Sequence, residues 1–238
     1  SNDGLLLKSF QAKGCVRVLG VDPAKNIAKF ANDNGVETIA DFFSQKLAKN
    51  ISKKYGKARV VIGNNVVAHI DNWHDLVKGV DEILDDKGVF IFEAPYLMDM
   101  FENLAYDSIY HEHLSYLSIS PLVKFFTQYN MDIFDVQTFK RQWNSIRVFV
   151  CRSGEYPISA AVKKFLDKEK NVGLGKLRSY QVLASRIEAS KNKLSAILAD
   201  LKRKNVRIAA YGAPARGNTL LNYCNIGKET LDFATEEL

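Results

Sequence analysis

The sequence predicts an α/β fold, with one Rossmann-like sheet-and-helix domain followed by part of a second α/β unit. Three observations predict it. Short β-branched and aromatic runs alternate with helical periods through the first part of the chain. Two strand-like runs in the middle follow one another with no helix between them, and the alternation restarts at Val206. Strands that alternate with helices imply crossover connections and a buried parallel sheet.

The elements follow in order. The turn Ser1-Asn2-Asp3-Gly4 leads into a helix over Leu5 to Ala12, and such a turn normally follows a strand. Val16 to Val21 (VRVLGV) is a short apolar strand. Asp22-Pro23 opens a helix, with Asp as cap and Pro at the first helical position. Val36 to Ala40 is a strand and Phe42 to Tyr55 a helix. Ala58 to Ile62 is a strand ending at Gly63, Trp73 to Leu84 has helical spacing, and Val89 to Glu93 is another strand. Met131 to Phe139 and Ser145 to Cys151 suit an antiparallel pair. Ile158 to Lys204 is helical, with a break near Gly173 and Gly175. After that break Leu177, Tyr180, Leu183, Ile187, Leu194 and Leu198 mark one face of a long amphipathic helix, suited to core packing or to linking two domains. Val206 to Tyr211 is a strand, Gly212 to Asn218 a turn of small residues, Thr219 to Cys224 the start of a helix, and Leu231 to Ala234 the next strand. The expected divisions are a first domain over 1–155, a helical connection over 156–204 and the start of a C-terminal Rossmann-like unit over 205–238.

Composition narrows the function classes. The chain is 47% apolar and 25% charged, which is ordinary for a globular protein. No apolar run approaches the roughly 18 residues that cross a bilayer. No signal-peptide pattern opens the sequence. The expectation is a cytoplasmic protein without a membrane partner. A net charge of +6 suits an anionic ligand. The densest basic cluster, Lys202-Arg203-Lys204, reads as a solvated helix face. No basic stripe is interleaved with stacking aromatics, so nucleic acid is not an expected partner. Cys15, Cys151 and Cys224 form no CxxC pair, and buried free thiols are expected.

Three stretches have the residue types of a site. Asn2-Asp3-Gly4 with Gly20-Val21-Asp22 is a tight turn, a helix, then a strand ending in a carboxylate. That arrangement suits a nucleoside, because the carboxylate can accept from both ribose hydroxyls. Asp22 could equally cap the next helix. Asn64 and Asn65 close a strand, where ligands collect in open α/β sheets, although Gly-Asn-Asn is also good turn chemistry. His69 follows on an apolar segment, where a core histidine is the ordinary reading. The densest stretch is Tyr110-His111-Glu112-His113-Leu114-Ser115-Tyr116. If extended, it puts His111 and His113 on one face and Tyr110, Glu112 and Tyr116 on the other. A metal site would need further ligands, and none has suitable spacing. General acid–base work suits a histidine with a pKa near 6.5, and a polar surface turn is the remaining reading.

SNDG, GVDP, GNNVVAHI, IYHEHLSYLSI and YGAPARGNTLLNYC, in this order, resemble the sugar C-methyltransferase family over nearly the whole chain. YHEHxSY and GAPARGNT are its specific signals. The resemblance implies a Rossmann-like class I methyltransferase domain that uses S-adenosylmethionine to methylate a carbon of a thymidine-diphosphate-linked keto-sugar. It implies His113 as the base, with Tyr110, Glu112 and His69 in the same active site. It implies Asp22 at the donor ribose, Asn2, Asp3 and Gly4 near the donor's amino-acid part, Asp41 and Phe42 at adenine, and Asn64 and Asn65 in the donor site. Tyr116 and Arg147 would meet the sugar nucleotide. Gly212, Arg216 and Asn218 would hold diphosphate oxygens at a helix start. The family also has a strand ahead of SNDG, an N-terminal zinc-binding domain and a longer C-terminal domain. These are expected to lie outside the 238 residues, which are not expected to hold a metal. Where the family has a His-Gly-Gly-Ser loop, this chain reads Arg141-Gln142-Trp143-Asn144-Ser145, which leaves the sugar open.

Two other readings remain at the level of sequence. A nicotinamide-dependent nucleotide-sugar oxidoreductase would use Asp22 and the α/β pattern, but SNDG is not a GxGxxG turn and no Tyr-x-x-x-Lys pair is suitably placed. The other is an inactive piece with a residual cofactor site.

Overall fold

The structure, a computed structural model, describes residues 2–14, 17–139, 145–212 and 214–236. Its first part alternates as expected: α1 (Leu5–Ala12), β1 (Gly20–Val21), α2 (Lys25–Asp33), β2 (Thr38–Ile39), α3 (Gln45–Tyr55), β3 (Ala58–Asn64), α4 (Trp73–Ile83) and β4 (Leu84–Pro95). β1 pairs β2 in parallel, and β3 pairs β4 in parallel. Two helix starts differ from the reading above, each for a local reason. The Asp22 side chain accepts from the Ala24 amide and the helix begins only at Lys25, so Asp22 is not its cap. Ser44 Oγ accepts from the Leu47 amide, which starts α3 at Gln45 rather than Phe42.

The middle of the chain holds α5 (Leu97–Asn103), a short 3₁₀ turn over Tyr106–Ser108, and α6 (Ile119–Thr127). The expected antiparallel pair follows as β5 (Met131–Phe139) and β6 (Ser145–Arg152). The loop Arg141–Asn144 lies outside the described residues, as does Cys15. The larger sheet has the order β3-β4-β6-β5, with β6 antiparallel to both neighbours. β4 is therefore interior, and its burial alternates along its length. Phe90, Phe92 and Ala94 face the core, where Phe92 stacks on Phe126 of α6 with ring centroids 6.1 Å apart. Each fully buried phenylalanine contributes about 1.5–3 kcal/mol in transfer free energy. A smaller apolar cluster of Ala48, Ile51 and Ile83 is packed by Val21, Ile39 and Val61, so residues of both sheets share it.

The chain then enters α7 (Ala160–Val172), breaks at Gly173 with φ 75°, and continues as α8 (Leu177–Arg203). The predicted stripe on α8 is buried only in part. Leu183 is buried and Ile187 packs on the main core, whereas Leu177 is 75% exposed. Tyr180 meets Phe101 of α5 edge to face, and Arg186 donates to the Phe101 carbonyl. Last come β7 (Ala209–Tyr211), α9 (Ala215–Tyr223) and β8 (Phe233–Thr235), with β7 parallel to β8.

The start of α6 depends on a residue far along the chain. A helix leaves its first amide N–H groups without intrahelical partners. Ser118 provides no side-chain cap. Instead Glu169 of α7, 1% exposed, accepts from the Ile119 amide at 2.6 Å, the Ser120 amide at 2.8 Å and Ser120 Oγ at 2.5 Å. The next residue, Pro121, has no N–H to satisfy. Tyr96 OH also donates to Glu169, at 2.9 Å. Burial, followed by the adjacent Glu169 carboxylate, pushes the Tyr96 phenol far above its ordinary pKa, so it stays a donor. Glu169→Ala would leave these donors buried without an acceptor. The expected loss is about 3 kcal/mol or more in urea unfolding, with Glu169→Gln losing less. A loss below about 1 kcal/mol for Glu169→Ala would contradict this role.

Candidate active site

Asp22, Asp41 and Asn64, three of the expected site residues, lie at the carboxyl ends of β1, β2 and β3, where ligands bind in open α/β sheets. Asp22 follows β1, and Asp41 follows β2. The amides of Asp22 and Asp41 both donate to the Ile39 carbonyl, at 3.0 and 3.1 Å, which sets the two residues side by side. The turn before α1 joins them, since the Asn2 amide donates to Asp22 Oδ2 at 2.8 Å. The Asp3 side chain turns inward to its own helix and accepts from the Leu5 amide. Gly4 has φ 84°, and a Cβ there would stand 3.0 Å from Val36 Cβ, so the tight turn needs glycine. Phe42 leaves its ring 74% exposed beside Asp41. Burial acts to raise the Asp22 carboxyl, but the Ala24 and Asn2 amides outweigh it and hold the group below the usual carboxylate range.

A second group forms at the ends of β3 and β4. Asn64 is in register with Glu93, and the Asn65 amide donates to the Glu93 carbonyl with Asn65 at φ 52°. Glu93 also binds the Arg147 guanidinium, which lies over the Phe139 ring at 4.1 Å. Beyond Asn65 the chain makes a 3₁₀ turn over Val67–His69. The Ala68 carbonyl accepts from the Leu114 and Ser115 amides, at 2.9 and 3.2 Å. That pins the histidine-rich loop to the end of β3. His69 is exposed, not a core histidine, and its ring meets His113 edge-on at 5.2 Å.

The loop is a turn, not an extended run, because the His113 amide donates to the Tyr110 carbonyl. The turn brings Tyr110 and His113 together, contrary to the two-face arrangement an extended chain would give. His111 and Glu112 point outward and lie 4.0 Å apart. His113 makes two ring hydrogen bonds. Nδ1 lies 2.9 Å from the Ser108 carbonyl, and Nε2 lies 3.1 Å from Tyr110 OH. A carbonyl can only accept, so Nδ1 carries the proton and Nε2 presents its lone pair to the Tyr110 hydroxyl. Nε2 is therefore the ring nitrogen with the lone pair.

The C-terminal turn reaches the same place. Arg216 Nη2 donates to Asp107 Oδ1 at 2.6 Å, and Thr219 Oγ1 donates to the Ile109 carbonyl at 3.3 Å. Asn218 is exposed and accepts from Asn222 within α9, while the Gly212 amide donates to the Thr235 carbonyl. Among the predicted site residues, the donor-side group and the histidine loop are thus each assembled, Arg147 is tied to Glu93, and Gly212 and Asn218 sit within their own small unit. Sequence reasoning missed Ser108, Asp107 and the Ala68 carbonyl. Asp107 lies just upstream of the motif, but the other two act through backbone atoms and leave no signal in residue type.

Residues 1–136 match the family model described as a methyltransferase domain, and residues 144–238 match that of a C-methyltransferase C-terminal domain. This chain belongs to the methyltransferase family. It is 35% identical over 237 residues to C-methyltransferase NovU of Streptomyces niveus, covering 99% of this chain and 56% of that protein. The chain thus spans just over half the length of this relative. Two crystal structures of the plantazolicin methyltransferase BpumL with SAH, one with a pentazolic and one with a triazolic desmethylPZN analog, superpose with a TM-score of 0.50 at 12% identity. Each covers 63% of this chain and 73% of the other, and the likeness shows the fold alone. The expected Rossmann-like methyltransferase fold is borne out.

In this methyltransferase the His113 pKa lies below the ordinary histidine value. Burial is the main cause, and His69 and Arg216 add to it against the Ser108 carbonyl and Glu112. His113 is therefore neutral at neutral pH, the state a base requires. The sign for stability follows from linkage. A depressed folded pKa gives a contribution that is full above the unfolded value near 6.5 and is lost as pH falls through the folded value. The stability of the natural chain relative to His113→Gln should be highest above about pH 6.5 and decline in acid. Urea midpoints taken across this range test it, and a difference that grows in acid would contradict it.

Proposed function

We propose that this chain is the methyl-transferring part of an S-adenosylmethionine-dependent enzyme that methylates a carbon of a nucleotide-linked keto-sugar. The observation that carries the reading is a histidine whose Nδ1 is held by the Ser108 carbonyl, which leaves the Nε2 lone pair towards Tyr110. The domain divisions fit the same reading, with 1–155 binding the donor, 156–204 connecting, and 205–238 beginning a C-terminal Rossmann-like unit.

The donor-side residues suit the cofactor. Asp22, a carboxylate just after β1 that is fixed by the Asn2 and Ala24 amides, is the acceptor proposed for the donor ribose. The exposed Phe42 ring offers an apolar face to adenine beside Asp41. Asn2, Asp3 and Gly4 line the turn that would receive the amino-acid part, and Asn64 and Asn65, at the end of β3, are further proposed donor contacts. Bound S-adenosylmethionine supplies an electrophilic methyl group, and its transfer leaves S-adenosylhomocysteine.

The residues of this chain would make the carbon nucleophilic. A carbon next to a carbonyl gains an electron pair when it loses a proton. Nε2 of His113 takes that proton, and the pair moves to the carbonyl oxygen as an enolate. Nε2 has a single lone pair, so the Tyr110 hydroxyl turns from it to the substrate carbonyl oxygen before the proton is taken, and there it donates to the enolate. Glu112 favours the imidazolium electrostatically. The pair then returns to carbon as the bond to methyl forms and the bond from methyl to sulfur breaks. His69 and Tyr116 flank His113 at 5.2 and 6.4 Å and shape the space beside Nε2. Arg147, already neutralised by Glu93, and Gly212 and Asn218 are the proposed contacts to the nucleotide part, whereas an Arg216 contact there competes with its ion pair to Asp107.

Two measurements test the reading. Calorimetric titration should give saturable binding of S-adenosylhomocysteine and none of NAD, and binding of NAD alone would overturn it in favour of an oxidoreductase. In the full-length protein His113→Gln should lower kcat by about 10²–10⁴-fold with KM little changed. Methyl transfer at the natural rate would remove His113 as the base.

A further inference from the structure

The contacts between α9 and the segment just before the histidine loop assign Arg216 a role other than ligand binding. α9 presents Arg216, Thr219 and Tyr223 to that segment. Arg216 binds Asp107, Thr219 donates to the Ile109 carbonyl, and Tyr223 packs on Tyr106 with ring centroids 5.5 Å apart. Asp107 and Ile109 flank Ser108, whose carbonyl holds the proton on His113 Nδ1. The Arg216–Asp107 pair is largely buried, with side chains 18% and 27% exposed, so it is poorly screened. A buried guanidinium–carboxylate contact fixes geometry more firmly than an exposed one.

We propose that Arg216 and Asp107 are a positioning pair through which the C-terminal unit holds the Ser108 carbonyl against His113 and so sets which ring nitrogen is free to act. The inference rests on the reading of His113 as the base. α9 is then part of the active site's frame, and the base is fully set only when that helix is docked. The charged and titratable groups facing His113 are His69, Arg216, Glu112, Tyr110 and Tyr116. Removing Arg216 takes away a positive charge as well as a tether. Removing the Asp107 charge breaks the tether and leaves the Arg216 charge in place.

The two roles for Arg216 give opposite results. If Arg216 were chiefly a diphosphate ligand, Asp107→Asn would release its guanidinium and tighten the binding of thymidine diphosphate. As a positioning residue it leaves that affinity unchanged in Asp107→Asn. The experiment is nitrogen-15 imidazole NMR on the full-length protein, with His113→Gln identifying the resonances. The natural protein should show a single neutral tautomer for His113, protonated on Nδ1. Asp107→Asn and Arg216→Ala should both lose that single-tautomer signature, and Arg216→Ala should also shift the titration midpoint upward. Arg216→Lys should restore the tautomer. Should Arg216→Ala fail to fold, the exchange Asp107→Arg with Arg216→Asp keeps the pair and should keep the tautomer. An unchanged tautomer in Asp107→Asn, or tighter diphosphate binding by that variant, overturns the proposal. These readouts do not depend on turnover, so a failure of the methylation reading would appear separately, as loss of S-adenosylhomocysteine binding or of a His113 effect on kcat.

Discussion

The hydrogen bond from His113 Nδ1 to the Ser108 carbonyl is the constraint on which the site depends. Neutral imidazole in water can hold its proton on either nitrogen, and only one of them can face a substrate as a lone pair. A backbone carbonyl removes that freedom because it can only accept. Every other feature near His113 serves to keep this carbonyl and this ring in one relation. The Leu114 and Ser115 amides tie the ring's own loop to Ala68 at the end of β3. The Tyr110 hydroxyl occupies Nε2, and burial keeps the ring neutral.

The same loop is held beyond its end by Glu169, the most buried charged residue among the described residues. The Leu117 carbonyl accepts from the Leu97 amide, and α6 begins at Ile119 on the carboxylate of Glu169. Glu169 has Tyr96 on its other side, and Tyr96 sits just after the interior strand β4. The sheet, α7 and the start of α6 therefore meet at one carboxylate, and the histidine loop runs between that point and the Ala68 carbonyl. The core beneath is aromatic, with Phe90, Phe92 and Phe126 buried together, and this makes the platform stiff. The group after β1 and β2, by contrast, is made of backbone amides around Asp22 and an exposed Phe42, and it is the surface proposed to receive the donor's base and ribose.

Much of this was legible in the residues, and what was not has a physical reason. The β5–β6 pair and the bounds of α1 follow from alternation and periodicity, which are local properties. α5 and α6 were missed. α6 has no side-chain cap of its own and a proline in its first turn, and its amides are satisfied by Glu169, 50 residues later. The start of α2 was placed too early because Asp22 bonds Ala24 as well as Asn2, a contact across 20 residues. His113 stood out by type and neighbours, but its tautomer depends on a carbonyl, which has no letter in the sequence. The link from Arg216 to Asp107 spans 109 residues and could be seen only in the fold.

The most direct test of the central claim is proton exchange without methyl transfer. The full-length protein would be incubated in heavy water with S-adenosylhomocysteine and a thymidine-diphosphate-linked keto-sugar, and deuterium followed by NMR at the carbon next to the carbonyl. The account expects enzyme-dependent deuterium entry at that carbon, lost in His113→Gln. Entry at an undiminished rate in His113→Gln would contradict the assignment of Nε2 as the atom that takes the proton.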